Sequence, residues 1–170
     1  NQKREKKVNQ KTHEAMILMS QGNFVKAERK LRSISSEKSV PIDTYLAGFS
    51  SAHYTEDQTL RSDWLLKSLA AYPNLECYIN LRNAELLVES EQYNQARDTL
   101  ENILKSDQKN TLALRLIVLL YSKTSIDHSM TKYLQEIVDH GNLNETSKAK
   151  LIFSLQTLLH ELKDNQGLFE

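Results

Sequence analysis

The stretch AELLVESEQYNQARDTLENIL, residues 84–104, decides the fold class. Its second half carries Tyr93, Ala96 and Leu100 at intervals of three and four, which is the period of one apolar stripe on an α-helix. The first half follows the same period, and polar residues separate the two halves. Ala84 and Ala96 supply small side chains where two helices would cross. Small side chains let the two helix axes approach to the lower end of the usual ~8–10 Å range. The stretch therefore predicts a hairpin of two packed helices.

The same pattern occurs twice more upstream. The first copy matches position for position at an offset of 69 residues, about twice the ~34-residue period of a tetratricopeptide repeat. Its matching positions are Ala15, Leu18, Gly22-Asn23-Phe24, Ala27, Leu31 and Ile34. A weaker copy lies between the two and contains Tyr45, Phe49, Ala52 and Trp64. Arg61 stands where the other copies have alanine, so we expect this copy to pack differently at its crossing.

These repeats predict an all-α chain: a tetratricopeptide-repeat-like, right-handed α-solenoid of antiparallel helix hairpins. We place a basic lead-in at residues 1–7 and a helical repeat domain at 8–170. Within that domain we expect repeats at about 8–40, 42–74, 75–109 and 110–141 and a terminal helix at 144–165. Asn74 is the expected N-cap of the helix that opens the third repeat. The segment Thr111–Lys123 is apolar on most sides, so we expect neighbouring helices to bury most of it.

The charge balance is zero, with 22 basic and 22 acidic residues. A zero balance gives no case for nucleic acid or for long-range attraction of an ionic partner, so we expect no nucleic-acid partner. The basic lead-in, Lys3-Arg4-Glu5-Lys6-Lys7, has two interpretations. It is either a solvated helix end or a juxtamembrane collar on the cytoplasmic side of a membrane.

The sequence contains no pattern typical of catalysis. The five histidines are scattered without the spacing of metal ligands, and no phosphate-binding loop or nucleophile elbow is present. We therefore expect a protein that is not an enzyme and that has no cofactor and no metal. Cys77, the single cysteine, is expected to be a small buried residue on a helix.

Six side chains on the first helices of their repeats are the candidate binding residues. In an α-solenoid those helices line the concave face, where extended peptides or helices bind. The alternative is that the tyrosines fill gaps between helices and the charges are solvated. The candidates are Tyr45, Tyr54, Tyr78, Arg82, Glu85 and Arg115.

Segments 15–29, 41–48, 85–87 and 92–96 together resemble the HemY proteins of the proteobacterial haem biosynthesis operon. The shared features are a Gly-aromatic turn, an Ala-Glu-x-x-Leu helix and a Pro-x-x-x-Tyr-Leu start of the second repeat. The resemblance implies the membrane-proximal region of a bacterial inner-membrane protein, on the cytoplasmic side and anchored through an N-terminal segment. It also implies association with a late step of protohaem synthesis without catalytic activity.

Three functions follow as hypotheses. The first is a membrane-tethered scaffold whose partners are other proteins, with haem-pathway enzymes as the implied candidates. The second is direct binding of haem or a porphyrin by the scattered histidines, the tyrosines and Cys77. The third is a general peptide-binding, cochaperone-like module unrelated to haem. The Lys and Asn arrangement that clamps a peptide carboxylate in such modules is not evident at Asp43, Leu46, Ala47 and Ser50.

Overall fold

A computed structural model describes residues 2–37, 40–124, 128–140, 144–146, 148–149, 152–153, 156–157 and 160. Every regular element among them is helical, which confirms the all-α prediction. The helices are α1 (Gln2–Ser20), α2 (Phe24–Arg32), α3 (Ile42–Tyr54), α4 (Gln58–Ala71), a 3₁₀ helix (Pro73–Leu75), α5 (Glu76–Glu89), α6 (Tyr93–Ser106), α7 (Thr111–Thr124) and α8 (His128–His140). The described positions between 145 and 160 are also helical, whereas 161–165 of the predicted terminal helix lie outside the described residues.

The chain forms two compact units, residues 1–82 and 83–170, and the boundary between them falls within α5. None of the helices in the described ranges combines the length and the apolarity needed to cross a bilayer.

Two helix starts differ from the sequence-based prediction. Helix α1 begins at Gln2, so described residues 2–7 of the basic lead-in belong to its first turns. Asn74 is not an N-cap; it lies in the 3₁₀ helix, and α5 begins at Glu76. The reason is Pro73, whose ring fixes φ and whose missing N–H suits the first position of a helical turn directly after α4.

Helices α1 and α2 form an antiparallel hairpin. Three side-chain contacts join them and the segment after α2: Glu14 with Lys30, Lys11 with Ser33, and Lys7 with Glu37. Across these three contacts the residue number on α1 falls from 14 to 7 while that of its partner rises from 30 to 37, as expected for antiparallel helices. Within residues 1–82, α2 also packs on α3, α3 packs on α4, and α1 contacts α3.

The turns at three helix ends share one backbone conformation. Gly22, Glu56 and Glu91 have φ of 73°, 60° and 61°, and they lie 34 and 35 residues apart. At Gly22 the next N–H, of Asn23, bonds to the carbonyl of Leu18, which is the Schellman arrangement that satisfies the last carbonyls of a helix. The N–H of Gln92 bonds to the carbonyl of Leu87 in the same way. The sequence period therefore corresponds to a repeated turn geometry.

Trp64 is the centre of the core of residues 1–82. Its side chain is fully buried, and the indole N–H donates to the Glu28 carboxylate at 3.0 Å. Gly48 on α3 makes room for the ring: a Cβ at this position would lie 2.6 Å from Trp64 atoms. The close approach of α3 and α4 is therefore made by a glycine on the first helix of the hairpin.

Arg61 is buried and lies with its guanidinium carbon 5.2 Å from the centroid of the Phe49 ring. Burial lowers the pKa of this guanidinium from its ordinary value, because desolvation disfavours the charged form. The expectation that this hairpin packs differently from the others agrees with this geometry. The cation rests on an aromatic face where the other two copies have a buried alanine, Ala27 or Ala96.

Within residues 83–170, α7 packs against both α6 and α8. The core is formed by side chains that are at most 1 % exposed: Leu86, Leu87, Leu100, Leu114, Ile117 and Leu120. The prediction that α7 is buried on most sides is wrong in part, because Leu112 and Leu119 are each 44 % exposed. They lie seven residues apart, so they share a helix face that the neighbouring helices leave open.

Candidate protein-interaction surface

Tyr45 is a core residue rather than an accessible one. It is 9 % exposed, its hydroxyl donates to the carbonyl of Ser35 at 3.3 Å, and its ring meets those of Trp64 and Tyr72 edge-on. Burial raises the pKa of its phenol, with the neighbouring Tyr72 adding to the effect. Tyr45 therefore fills a gap between helices, which was the alternative role considered for the tyrosines.

Tyr54 ends α3 and is 43 % exposed. Its ring packs on Phe24, the first residue of α2, with centroids 4.6 Å apart, and meets His53 edge-on at 5.4 Å. One side of the ring is therefore used to hold two helix ends together. The rest of the side chain is exposed to solvent.

Tyr78 and Arg82 lie one helical turn apart on α5, so they share a face. Tyr78 is 51 % exposed, and Nη2 of the half-buried Arg82 lies 3.4 Å from Oγ of Ser50 on α3. An exposed phenol beside an oriented guanidinium combines the two side-chain types that are enriched at binding hot spots.

In the second unit, Glu85 is half-buried on α5 and Arg115 is exposed on α7. Arg115 lies between the exposed Leu112 and Leu119 at helical spacing, so the three form one strip. The sequence indicates Arg115 as a candidate binding residue but neither of the two leucines. In a helix that is apolar all round, periodicity cannot show which leucine a neighbour covers.

A cavity of about 370 Å³ opens among α6, α7, α8 and the loop after α6. Leu104 and Leu114 line it with apolar surface, and charged groups of both signs surround them. The remaining lining residues are Glu101, Lys105, Gln108, Lys132, Tyr133 and Glu136. Since the charges balance, this cavity indicates no ligand of one particular charge.

The groups considered for metal or porphyrin chemistry are not brought together. No cluster of three His, Cys, Asp or Glu side chains suited to a metal occurs within the described part of the chain. The prediction that Cys77 is buried is wrong: its side chain is exposed on the first turn of α5. The early residues of α5 lie beyond the buried stripe that begins at Ile79. The side chains of His128 and His140 lie outside the described residues.

Comparison with known proteins addresses the fold. No family model matches the chain, and no curated protein matches it at a significant level. Among solved structures, the chain is similar to one titled "MamA RS-1 ArsTM double mutant", with a TM-score of 0.56 and 16 % sequence identity. The alignment covers 91 % of this chain and 96 % of the MamA chain. MamA is a protein of the tetratricopeptide-repeat type, so the likeness supports a tetratricopeptide-repeat-like fold.

Proposed function

We propose that this chain is a non-catalytic interaction scaffold that binds other proteins through the exposed faces of α5 and α7. The observation that carries the proposal is the exposure of large side chains on these two helices. Tyr78 is 51 % exposed, and Leu112 and Leu119 are each 44 % exposed. Tyrosine and arginine are enriched among the anchors of protein interfaces, and exposed leucines beside them add apolar surface that a partner can bury.

The stability of the fold gives no reason for these groups to be exposed. Removal of apolar surface from water contributes roughly 25 cal/mol per Å² to stability. A tyrosine or leucine that stays exposed loses little of its contact with water on folding, so it contributes little to the stability of the fold. Binding to a partner would remove the same surface from water. A partner helix or extended segment with apolar side chains and an acidic group near Arg115 has the complementary chemistry.

Site-specific photocrosslinking tests the assignment of the face. A photoreactive amino acid at Tyr78 or at Leu112 is expected to capture a protein from the source cells' membrane and soluble fractions. The matched control positions are Leu66 on α4, which is 67 % exposed, and Asp98 on α6, which is also exposed. Equal crosslinking at all four positions would show that capture is not specific to α5 and α7, and crosslinks at Leu66 and Asp98 alone would place the interface on the second helices of the hairpins.

The finer parts of the proposal rest on the sequence. The repeat spacing supports the right-handed α-solenoid with repeats near 8–40, 42–74, 75–109 and 110–141. The HemY resemblance supports anchoring to a bacterial inner membrane through an N-terminal segment, and partners that act late in haem synthesis. Identification of a haem-pathway enzyme among the Tyr78 or Leu112 crosslinks would support that link. Reproducible capture of unrelated proteins alone would contradict it and favour a general peptide-binding module.

A further inference from the structure

The neutral charge of the whole chain conceals a strong separation of charge along it. Residues 1–34, which include α1 and α2, carry nine basic and three acidic residues, a formal charge of +6. The remaining 136 residues carry 13 basic and 19 acidic residues, a formal charge of −6. The zero balance therefore does not exclude electrostatic attraction of a partner, because the first hairpin is strongly basic by itself.

The basic side chains of the hairpin are accessible. Seven of the nine are exposed, and only Lys11 and Lys30 are half-buried. Two of the three acidic groups are occupied, Glu14 by Lys30 and Glu28 by Arg32. The cations of the hairpin that make no ion pair with any described residue are Lys3, Arg4, Lys6, Lys11, Lys26 and Arg29, of which Lys11 donates to the Ser33 hydroxyl.

The hairpin also exposes three large apolar side chains on either side of its turn. Met16, Ile17 and Val25 are 44 %, 45 % and 49 % exposed. Apolar groups combined with lysines are the composition of a segment that lies at a bilayer surface, with the cations at anionic headgroups and the apolar groups at the acyl boundary.

Two observations favour lipid over the other acidic partners. Six of the nine cations are lysines, which act as point charges and respond to the summed potential of an anionic surface, whereas bidentate recognition of one carboxylate or one phosphate group favours the planar guanidinium of arginine. Phe24, the aromatic residue of the hairpin, is half-buried against Tyr54 and so is not presented for base stacking.

We propose that the α1–α2 hairpin is a folded binding surface for anionic phospholipid. It extends the basic character of the lead-in, residues 1–7, along α1 and onto α2. The proposal goes beyond the scaffold function and does not depend on it, since the surface lies on the first hairpin and the proposed protein partners bind α5 and α7.

Co-sedimentation of the 170-residue chain with vesicles tests the proposal. We expect the chain to bind vesicles that contain a mixture of phosphatidylglycerol and phosphatidylcholine, and to bind vesicles of phosphatidylcholine alone only weakly. Binding to the mixed vesicles is expected to fall steeply as added salt shortens the electrostatic screening length to a few Å. The variant Lys3→Gln/Lys6→Gln/Lys26→Gln is expected to weaken binding more than about tenfold. The control Lys105→Gln/Lys109→Gln/Lys123→Gln removes three exposed lysines outside the hairpin and is expected to change binding less than about twofold.

The variant Ile17→Ser/Val25→Ser, at two exposed positions, separates the apolar from the electrostatic contribution. It is expected to keep the salt dependence while lowering the binding that remains at high salt. Three results would overturn the proposal: no vesicle binding at low salt, equal losses in the two triple-lysine variants, or tighter binding to a short DNA duplex than to the anionic vesicles. Circular dichroism of each variant confirms that the helices are retained.

Discussion

The indole N–H of Trp64 donates to Oε1 of Glu28 at 3.0 Å, although 36 residues separate the two positions. Both side chains are at most 2 % exposed, and the second carboxylate oxygen accepts from Arg32 at 2.7 Å. The bond joins α2 of the first hairpin to α4 of the second. The buried carboxylate of Glu28 therefore accepts one hydrogen bond from α2 and one from α4, so both of its oxygens are satisfied. These bonds connect the two hairpins in the core.

Replacement of Glu28 tests this bond. Glu28→Leu leaves the indole N–H buried without its acceptor and is expected to cost about 1–3 kcal/mol in the free energy of unfolding. Glu28→Gln keeps an acceptor oxygen and is expected to cost less. Urea denaturation measures both. Equal losses for the two variants would show that the indole bond is not the source. A double-mutant cycle with Trp64→Phe is expected to show a combined loss smaller than the sum of the single losses.

Gly48 is the second test of the Trp64 environment. A Cβ at this position would lie 2.6 Å from the indole, so Gly48→Ala is expected to destabilise the protein by about 1–3 kcal/mol through overpacking. In a Trp64→Leu background the same change is expected to cost much less, because the benzo ring that clashes is gone. Thermal denaturation of the four proteins provides the measurement. A Gly48→Ala cost that is unchanged in the Trp64→Leu background would rule out the steric explanation.

The left-handed conformations of Glu56 and Glu91 predict stabilising substitutions. A positive φ is sterically unfavourable for a residue with a Cβ, whereas glycine adopts it freely. Glu56→Gly and Glu91→Gly are therefore each expected to raise the free energy of unfolding by about 0.5–1 kcal/mol. Glu101→Gly, in the interior of α6, is the matched control and is expected to lower stability by a similar amount. If the turn substitutions destabilise as much as the control, the turns do not have this geometry in solution.

The raised pKa of Tyr45 predicts a change in stability at alkaline pH. The ordinary pKa of a tyrosine is near 10.0, and burial of Tyr45 favours its neutral phenol. Its contribution to stability is therefore fully present below about pH 10 and is lost as pH rises through the folded-state pKa. Tyr45→Phe is expected to make the alkaline decline in the denaturation midpoint less steep. Tyr78→Phe, at an exposed position, is the control, and an identical effect of both variants would exclude Tyr45 as the cause.

Much of the helix arrangement could be predicted from the sequence because the apolar period and the turn positions repeat together. The prediction of a turn at Gly22 needed only glycine's preference for positive φ. The same φ at Glu56 and Glu91 could not be predicted from residue type, since glutamate rarely adopts it. There the position within the repeat, and not the residue itself, specifies the backbone.

The candidate surface was harder to predict than the fold. Tyr45 and Tyr78 are the same residue type on first helices, yet one is 9 % and the other 51 % exposed. The difference comes from Trp64 and Tyr72, which cover Tyr45 and are distant from it in sequence. Such long-range packing leaves no local pattern in the sequence.

The Thr12 and Thr44 hydroxyls, which are 2.8 Å apart in a buried bond between α1 and α3, reinforce what the Glu28–Trp64 bond does between α2 and α4. Recombination at the loop before Val40 would exchange one hairpin for a foreign one. Such an exchange would remove one partner from the Thr12–Thr44 bond and one from the Glu28–Trp64 bond at the same time. The opening hairpin is thus bound to its neighbour by chemistry that a foreign module would lack, and evolution can replace the two hairpins together more easily than either one alone.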